Sequence, residues 1–347
     1  MIRSTPKVAI VLATFNGGQF LIDQLQSLSE QSFAGWQLWV RDDGSADATC
    51  DILRRAVDDD SRIHIVEDNL GRLGTARSFG ELLRRVSKVG VDYVFLCDQD
   101  DVWRPDKVAR QLNALRAAET DVGCDQPVLV HSDLAIVDAE LRPVAPSFAS
   151  HLRLRPESTE PLRTLLVQNF VTGSTIAINR PLLELALPFP DDVILHDWWL
   201  GLLAASAGEL RYLAESLVMY RQHLSNQVGA IGFWKRLADV LSTGQRGFQN
   251  QQERLLQSVK QGAALECRLC ERLSAAGGAL HETVRGNLDL VRRYLSLFEA
   301  CRSRWQRPWG VLNLRIGRQM WLKQAAFLMQ VGLLPHPVDP NNRRRAA

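Results

Sequence analysis

The feature that most constrains the fold is an alternation of short apolar runs and amphipathic stretches over residues 7–118. Each apolar run has strand length, and the stretch after it has the apolar spacing of a helix. The predicted strands are Val8–Ala13, Gln37–Arg41, Ile63–Val66 and Asp92–Cys97, and the predicted helices are Gln19–Gln31, Ala48–Val57, Ser78–Val86 and Lys107–Leu115. Repeated strand–helix units predict an α/β fold with a mainly parallel sheet flanked by helices.

The rest of the chain changes character along its length. Residues 127–138 and 171–178 predict further strands, and Asp197–Ala207 predicts an apolar helix. The C-terminal third is helical in pattern almost throughout. We therefore expect a first domain over residues 1–230 and a helical region over residues 231–347.

Charge is distributed unevenly between these two parts. Residues 1–230 hold 22 Lys/Arg against 31 Asp/Glu, a balance of −9, whereas residues 231–347 hold 19 against 8, a balance of +11. The six cysteines are scattered, and the first residues have no apolar stretch resembling a signal peptide, so we expect a cytoplasmic protein. No stretch reaches the about 20 uninterrupted apolar residues that a spanning helix needs.

Three carboxylates within four positions follow the fourth predicted strand, in the run Asp98-Gln99-Asp100-Asp101. Crowded like charges are stabilised by a cation. Mg²⁺ and Mn²⁺ are typically held by one or two carboxylates together with phosphate oxygens of a substrate. The cluster therefore predicts a site for a divalent cation and a diphosphate. The alternative is an acidic turn that caps the next helix.

Polar loops also follow the first two predicted strands. Thr14-Phe15-Asn16-Gly17-Gly18 offers hydroxyl, amide and backbone groups, and Asp42-Asp43-Gly44-Ser45 offers adjacent carboxylates. In open α/β sheets, ligands bind at the carboxyl ends of the strands. These loops therefore predict contacts to a nucleobase and its ribose, with capping and β-turns as the alternatives.

Three further polar positions stand near the predicted strand and helix ends. Arg77 follows a Gly-containing loop and is either a ligand contact or an ordinary solvated arginine. His196-Asp197-Trp198-Trp199 opens an apolar helix, where the Asp is either a cap or a general base and the tryptophans are either core or a sugar platform. Tyr220-Arg221-Gln222-His223 offers ligands for a diphosphate or a metal, although a lone His is more often structural.

Taken in order, these motifs resemble those of the family 2 glycosyltransferases over about residues 7–228. Ala13-Thr14-Phe15-Asn16 and Asp42-Asp43-Gly44-Ser45 match the nucleotide loops, Ala76-Arg77 matches the diphosphate-side loop, and Asp98-Gln99-Asp100 matches the Asp-x-Asp motif. Asp197 stands at the place of the family's base, preceded by His196 where many members have Glu.

The resemblance implies a GT-A type, Rossmann-like fold and an inverting transfer of sugar from a nucleotide donor. It implies a nucleotide-sugar-binding part over about residues 1–120 and an acceptor-binding part over about residues 121–230. The expected roles are a base at Asp197, a divalent metal, Mg²⁺ or Mn²⁺, at Asp100 and His223, and acceptor contacts at Trp198 and Trp199. Expected donor contacts are Thr14, Asn16, Asp42, Asp43, Arg77, Asp98 and Gln99.

The fuller strings, including His131-Ser132-Asp133 and His-Asp-Trp-Trp, resemble a rhamnosyltransferase-like subgroup that builds bacterial surface polysaccharides. The resemblance implies dTDP-L-rhamnose as donor and a saccharide or lipid-linked acceptor. A UDP-hexose donor is the alternative. A sugar nucleotidyltransferase would open with a Gly-rich triphosphate loop that is lacking here, and a non-catalytic nucleotide-sugar-binding protein would not need both Asp197 and the acidic cluster.

The basic C-terminal region mixes Trp and Arg, among them Trp305, Trp309, Arg315 and Arg318. This mixture suits an anionic membrane surface, where lipid-linked acceptors are presented. A helical subdomain or an oligomer contact is the alternative. We expect no nucleic-acid partner, and a salt-dependent filter-binding assay would test that expectation.

Overall fold

The computed structural model describes residues 6–156, 159–191, 193–223, 245–275, 280–299, 306–319 and 321–333. The chain divides into two compact units. The first comprises Met1–His151, Val171–Ala204 and Gly208–Ala230, and the second comprises Leu152–Phe170, Ala205–Ala207 and Ile231–Ala347. The second unit thus takes two short segments from before residue 230, which the sequence patterns do not indicate.

A nine-stranded mixed sheet forms the centre of the first unit. Its strands are β1 (Val8–Thr14), β2 (Trp36–Asp42), β3 (Ile63–Ile65), β4 (Tyr93–Cys97), β5 (Val102–Trp103), β6 (Val128–Val137), β7 (Pro143–Ala145), β8 (Ile176–Asn179) and β9 (Glu209–Arg221). Their order is β3-β2-β1-β4-β8-β6-β9-β5, with β7 paired to β6. The longer ladders are parallel, which confirms the predicted fold class.

Helices connect and cover these strands. In the first unit they are α1 (Leu21–Ser29), α2 (Thr49–Asp59), α3 (Thr75–Lys88), α4 (Lys107–Val122), α5 (Phe148–His151), α7 (Arg180–Ala186) and most of α8 (His196–Ala207). A 3₁₀ turn at Gly173–Thr175 leads into β8. In the second unit they are α6 (Pro161–Leu165), α9 (Gln245–Ala275), α10 (Leu280–Ser296), α11 (Gln306–Asn313) and α12 (Trp321–Leu333).

Strand β1 shows why the sheet forms where it does. Val8, Ile10 and Leu12 pack into the same core as α1, α2 and α4, while α3 contacts the strand as well. All five residues of Val8–Leu12 are at most 3% exposed, as expected for a central parallel strand with helices on both faces. This explains the continuous apolar run in the sequence.

The directions of the strands bring several chain segments to one edge of the sheet. β1, β2 and β4 run parallel, so their carboxyl ends share an edge. β8 is antiparallel to both β4 and β6, and β9 is parallel to β6. The amino end of β8 and the carboxyl end of β9 therefore lie at this same edge, which we call the carboxyl edge.

The second unit is helical, which confirms the predicted C-terminal helical extension. Helix α9 contacts α10 and α12, and α11 contacts α12. The interior of the second unit includes the fully buried Leu265, Leu269, Val291 and Tyr294. None of the helices within the described residues has the length and apolar composition needed to cross a membrane.

The early segment Leu152–Phe170 is tied into this unit by hydrogen bonds. The Arg155 backbone N–H donates to Gln319 Oε1 over 2.7 Å, and Gln319 Nε2 donates back to the Arg155 carbonyl over 2.9 Å. Arg163 also donates to the Leu314 carbonyl. These bonds are the physical reason that a segment from the middle of the chain belongs to the C-terminal unit.

Candidate active site at the carboxyl edge of the sheet

Asp100 and His223 meet at the carboxyl edge although 123 residues separate them. His223 Nε2 lies 2.9 Å from Asp100 Oδ2, and both side chains are largely buried. Asp100 follows β4 and His223 follows β9, so the pair exists because these two strands end at the same edge. The structure thus brings the two predicted metal ligands together.

Two further carboxylates, those of Asp98 and Asp197, form an acidic cluster with Asp100. Burial, and then the negative charges of Asp100 and Asp197, raise the pKa of Asp98 to about 7. The loop after β4 and the first turn of α8 are therefore close enough to interact electrostatically. Such crowding of negative charge favours a bound cation.

Asp101 is more deeply buried than Asp98 and Asp100. It is fully buried and accepts a hydrogen bond from the Arg221 backbone N–H over 3.3 Å. Burial, together with the charges of Asp100 and Asp98, raises the pKa of its carboxyl well above the usual range. Asp101 therefore connects the acidic turn to β9 from the inside.

The cluster fits a divalent cation that is shared with a substrate. Within the described residues, no three His, Cys, Asp or Glu side chains group closely enough to hold a metal by themselves. One carboxylate with one imidazole, at a site with excess negative charge, is a donor set that leaves positions for diphosphate oxygens. Asp100 and His223 fit such an ion.

Thr14, Asn16 and Asp42 lie together at the neighbouring strand ends. Thr14 Oγ1 donates to Asp42 Oδ1 over 2.9 Å, and Ser45 donates to Asp42 from both its hydroxyl and its backbone N–H. Burial raises the pKa of Asp42, but these hydrogen bonds outweigh it and hold the pKa below the usual range. Asn16 is exposed, with φ of 49°, and its Oδ1 accepts from the Ala46 N–H.

Asp43 has a different place from the one expected. It is 4% exposed, and its oxygens accept from Arg41, from Ser78 and from the backbone N–H groups of Leu73 and Gly74. Burial opposes ionisation, but these donors lower its pKa. In this structure Asp43 holds the loop before α3, which carries Arg72, and its expected contact to the donor stays a prediction.

Gln99 is also engaged by the protein. Its Oε1 accepts from the Phe15 N–H over 2.8 Å, and its Nε2 donates to the Phe15 carbonyl over 3.1 Å. Both polar atoms of the amide thus bind one residue of the loop after β1. Gln99 thus positions this loop, and its expected donor contact stays a prediction.

Arg77 lies in the first turn of α3 with its side chain 59% exposed, and its Nη2 is 3.1 Å from Asp191. An exposed ion pair of this kind contributes little to stability. The guanidinium can therefore exchange its partner for an anionic ligand.

Asp197 lies in the first turn of α8, beside the amino end of β8. Its Oδ2 accepts from the Gly173 N–H over 3.2 Å, and its Oδ1 accepts from the Trp198 N–H over 2.6 Å. The first turn of a helix favours a negative side chain. The carboxylate is partly exposed, so a group at the carboxyl edge can reach it.

The two tryptophans after Asp197 have different surroundings. Trp198 is partly exposed, and its contact to an acceptor stays a prediction. Trp199 is fully buried, and its Nε1 donates to the Ala186 carbonyl over 3.3 Å. Trp199 lies in the core, and its expected acceptor contact stays a prediction that this burial does not support.

Gly173 is a site residue that the sequence patterns missed. Besides its hydrogen bond to Asp197, a Cβ atom at this position would lie 2.8 Å from His196 Nε2. The sequence patterns placed Gly173 inside a predicted strand, residues 171–178, and so gave no signal for this role. Only the antiparallel return of β8 places this glycine next to α8.

Comparisons with known proteins agree with this architecture. Residues 9–184 match the family model described as Glycosyl transferase family 2. The dTDP-rhamnosyl transferase RfbG of Shigella flexneri is 27% identical over 242 residues, which cover 66% of this chain and 78% of that protein.

Among solved structures, S. aureus TarS matches with a TM-score of 0.51 and 13% identity over 84% of this chain and 55% of that one. This chain thus spans about half the length of that TarS chain. TarS 1–349 in complex with UDP-GlcNAc matches with a TM-score of 0.50 and 14% identity over 98% and 92% of the two chains. The likeness confirms the GT-A type fold, and because the family model covers half of the sequence, the chain belongs to glycosyltransferase family 2.

Proposed function

We propose that the protein is an inverting glycosyltransferase, and the observation that carries this proposal is the convergence of Asp98, Asp100, Asp197 and His223. The 2.9 Å contact between Asp100 and His223 supports a metal and diphosphate end. The electrostatic effect of Asp197 on Asp98 supports a base on the acceptor side of the same site. Direct displacement needs both ends at one place.

Different residues of the chain have different roles in one displacement step. Thr14, Asn16 and Asp42 hold the base and ribose, while Arg77 and Asp98 contact the diphosphate and the sugar. Asp197 takes the proton of the acceptor hydroxyl. The acceptor oxygen then bonds to the anomeric carbon, and the bond from that carbon to the diphosphate breaks with its electron pair on the leaving group.

Asp100 and His223 would hold the divalent ion, Mg²⁺ or Mn²⁺. When bound, the ion supplies positive charge that stabilises the leaving diphosphate. The imidazole of His223 and the carboxylate of Asp100 already contact each other, so few rotamers have to be ordered when an ion arrives.

The donor we propose is dTDP-L-rhamnose, and the product belongs to a bacterial surface polysaccharide such as an O-antigen. The support is the similarity to RfbG, whose name records dTDP-rhamnosyl transfer. A UDP-hexose is the alternative donor. The acceptor is a saccharide or a lipid-linked saccharide, which Trp198 would contact.

We also propose a cytoplasmic protein that binds the inner face of the membrane through its second unit. The described part of this unit exposes the side chains of Trp309 by 69%, Met329 by 64%, Leu333 by 55% and Leu312 by 44%. The basic balance of residues 231–347 complements anionic lipids. Such binding would bring the site to lipid-linked acceptors.

The proposal is tested by donor binding and turnover. In a thermal-shift panel of dTDP-, UDP- and GDP-sugars with and without Mn²⁺, we expect dTDP-rhamnose to stabilise the protein by mass action. Asp197→Asn should lower turnover by about 10²- to 10⁴-fold while nucleotide binding persists. Asp51→Asn, which changes an exposed carboxylate on α2, is the control.

The outcomes separate the candidate functions. Stabilisation by UDP-hexoses alone would make the rhamnose assignment wrong. Unchanged turnover in Asp197→Asn would remove that residue from the base role. Donor binding without any transfer to a saccharide acceptor would favour the non-catalytic nucleotide-sugar-binding protein.

A further inference from the structure

Arg221 is a buried cation at the end of β9 whose bonds extend to several segments of the first unit. Its side chain is 3% exposed. Nε donates to the Asp100 carbonyl over 3.1 Å, Nη1 to the Ala139 carbonyl over 2.5 Å, and Nη2 to Asp23 Oδ2 over 2.6 Å. One guanidinium thus joins β9 to α1, to the acidic turn and to the turn after β6.

Two of these connections bear directly on the metal ligands. Nε of Arg221 binds the backbone of Asp100 itself, and the Arg221 N–H binds the next residue, Asp101. His223 follows Arg221 by only two positions, so the residue that fixes the Asp100 backbone also fixes the chain that carries the imidazole.

Phe20, the residue before α1, completes the arrangement. The Arg221 Cζ lies 4.6 Å from the centre of its ring, and the His223 ring centre also lies 4.6 Å away at an interplanar angle of 35°. Phe20 is 8% exposed. The Phe20 ring therefore contacts both the guanidinium and the imidazole and restricts how either can rotate.

Only an arginine can make this set of bonds. The guanidinium carries its donors in a rigid planar fork, whereas a lysine has one ammonium centre on a flexible stem. A buried positive charge is costly unless partners surround it, and here a carboxylate, carbonyl oxygens and an aromatic ring do so. The site therefore stabilises Arg221 in one orientation.

We infer that Arg221 is a positioning residue that sets the distance between Asp100 and His223, rather than a ligand of the donor diphosphate. The inference rests on the proposed function, because it concerns the metal and diphosphate end of that site. The sequence alone left a diphosphate contact open for the Tyr-Arg-Gln-His string. Arg221 is instead buried, and its Nε, Nη1 and Nη2 all donate to acceptors within the protein.

Arg62 offers a matched control for testing this inference. It forms a fork with Asp60, donates to the Ala34 carbonyl and lies 3.8 Å over the Trp36 ring. These contacts match those of Arg221 in kind, but Arg62 precedes β3 and so lies at the opposite edge of the sheet. Arg221→Lys and Arg62→Lys therefore remove similar contacts at different places.

The experiment measures Mn²⁺ affinity by electron paramagnetic resonance, with and without thymidine or uridine diphosphate, whichever binds the wild type more tightly. Nucleotide affinity without metal is measured in parallel. For Arg221→Lys we expect Mn²⁺ affinity to fall by about 10- to 100-fold, the usual effect of removing a group that orients a ligand. Metal-free nucleotide affinity should stay unchanged, and Arg62→Lys should alter neither quantity.

Several results would overturn the inference. One is an Mn²⁺ affinity of Arg221→Lys that equals that of the wild type. Another is a loss of Mn²⁺ affinity in Arg62→Lys as large as that in Arg221→Lys. A parallel loss of metal-free nucleotide affinity would indicate general disruption of the site. A wild type that binds no Mn²⁺ in either condition would also overturn it, since there would be no ligand pair to position.

Asp23→Asn keeps the test decisive if Arg221→Lys does not fold. Asp23 is 47% exposed, so its amide variant should fold, yet it weakens the hold on Nη2. We expect a smaller loss of Mn²⁺ affinity in the same direction, and no loss would overturn the inference. Sugar transfer by the wild type is assayed separately, so a failure of the proposed function remains distinguishable.

Discussion

His196 is a histidine held in its neutral form directly before the proposed base. Its ring stacks on Phe79 with the centres 3.9 Å apart, and neither ring nitrogen has a hydrogen-bond partner among the described residues. Burial lowers its pKa to about 3. The side chain therefore acts as a flat apolar spacer, packed against Gly173, that sets where α8 begins.

His196→Phe should make the protein less sensitive to acid. The folded-state pKa lies below the unfolded value of 6.5, so the unfolded state binds more protons as pH falls from about 6.5 towards 3. Between pH 7 and pH 5, the wild type should lose about 2 kcal/mol more of its unfolding free energy than the variant does. Urea unfolding followed by circular dichroism measures the difference.

His131 and His151 define the background for this measurement. Burial also lowers the pKa of His131 to about 3, so both proteins keep that source of acid sensitivity. His151 is exposed, and His151→Phe should behave as the wild type does. An identical pH dependence in His196→Phe and the wild type would contradict the spacer role.

The residues that sequence reasoning could identify are those whose chemistry is unusual for their position. Adjacent carboxylates after strands pointed to Asp42 and Asp100, and an acid at a helix start pointed to Asp197. Asp43 and Gln99 stand beside these acids in the same loops, yet they bind the backbones of neighbouring loops. Which oxygen faces a ligand depends on loops brought together by the fold, and a linear pattern does not contain that information.

At the scale of elements, the loop between β1 and α1 is held from two sides. Gln99 binds the peptide groups of Phe15, and Thr49 Oγ1 accepts from the Gly17 N–H over 2.9 Å. A Cβ atom on Gly17 would lie 2.3 Å from Gln99 Oε1. The absence of a side chain at Gly17 is therefore what lets Gln99 reach Phe15.

Gly17→Ala and Gln99→Ala should weaken nucleotide binding by the same route. Each removes the bonds between Gln99 and Phe15, and a lost hydrogen bond of about 1 kcal/mol corresponds to about a fivefold loss of affinity. In the double variant the two losses should not add, because both act on one interaction. Isothermal titration with the nucleoside diphosphate measures the cycle.

Gly286→Ala supplies the control for this cycle. A Cβ atom there meets nothing within 4 Å, and the residue lies inside α10. This substitution should raise the unfolding free energy by about 0.5–1 kcal/mol without affecting nucleotide affinity. If the losses of nucleotide affinity from Gly17→Ala and Gln99→Ala add strictly in the double variant, the shared route is contradicted.

Elements with a clear period were predictable, and those fixed by distant partners were not. The β1 and β4 strands and the α1 to α4 helices follow the apolar spacing of residues 7–118. β9 was missed, although it forms the longest ladder of the sheet. Its pairing with β6 shifts register around Asp133, which interrupts the alternation that reveals a strand.

At the scale of the whole molecule, the second unit has both an excess of positive charge and exposed apolar side chains. Among the described residues of this unit, Trp309, Leu312, Met329 and Leu333 are exposed large apolar side chains. Deleting residues 302–347 would also remove the buried Val311, Ile316 and Phe327, so point variants are the better test of membrane binding.

Trp309→Ser combined with Met329→Ser should weaken binding to vesicles that contain phosphatidylglycerol. Apolar insertion and attraction to anionic lipid both contribute to such binding, and salt weakens the second contribution. Vesicle sedimentation at low and high salt measures both. Ile22→Ser combined with Val144→Ser removes exposed apolar side chains from the first unit and is the control. Undiminished binding of the first pair would contradict the membrane proposal.

The place of β9 in the sheet also determines when the site is assembled during synthesis. The loops after β1 and β2 and the acidic turn after β4 are made early, but β9 lies between β6 and β5 and ends just before His223. Domains fold as their chain emerges from the ribosome. A nascent chain therefore acquires its complete Asp100–His223 pair only after residue 223 has been added, so the proposed metal end of the site forms late in the synthesis of the first unit.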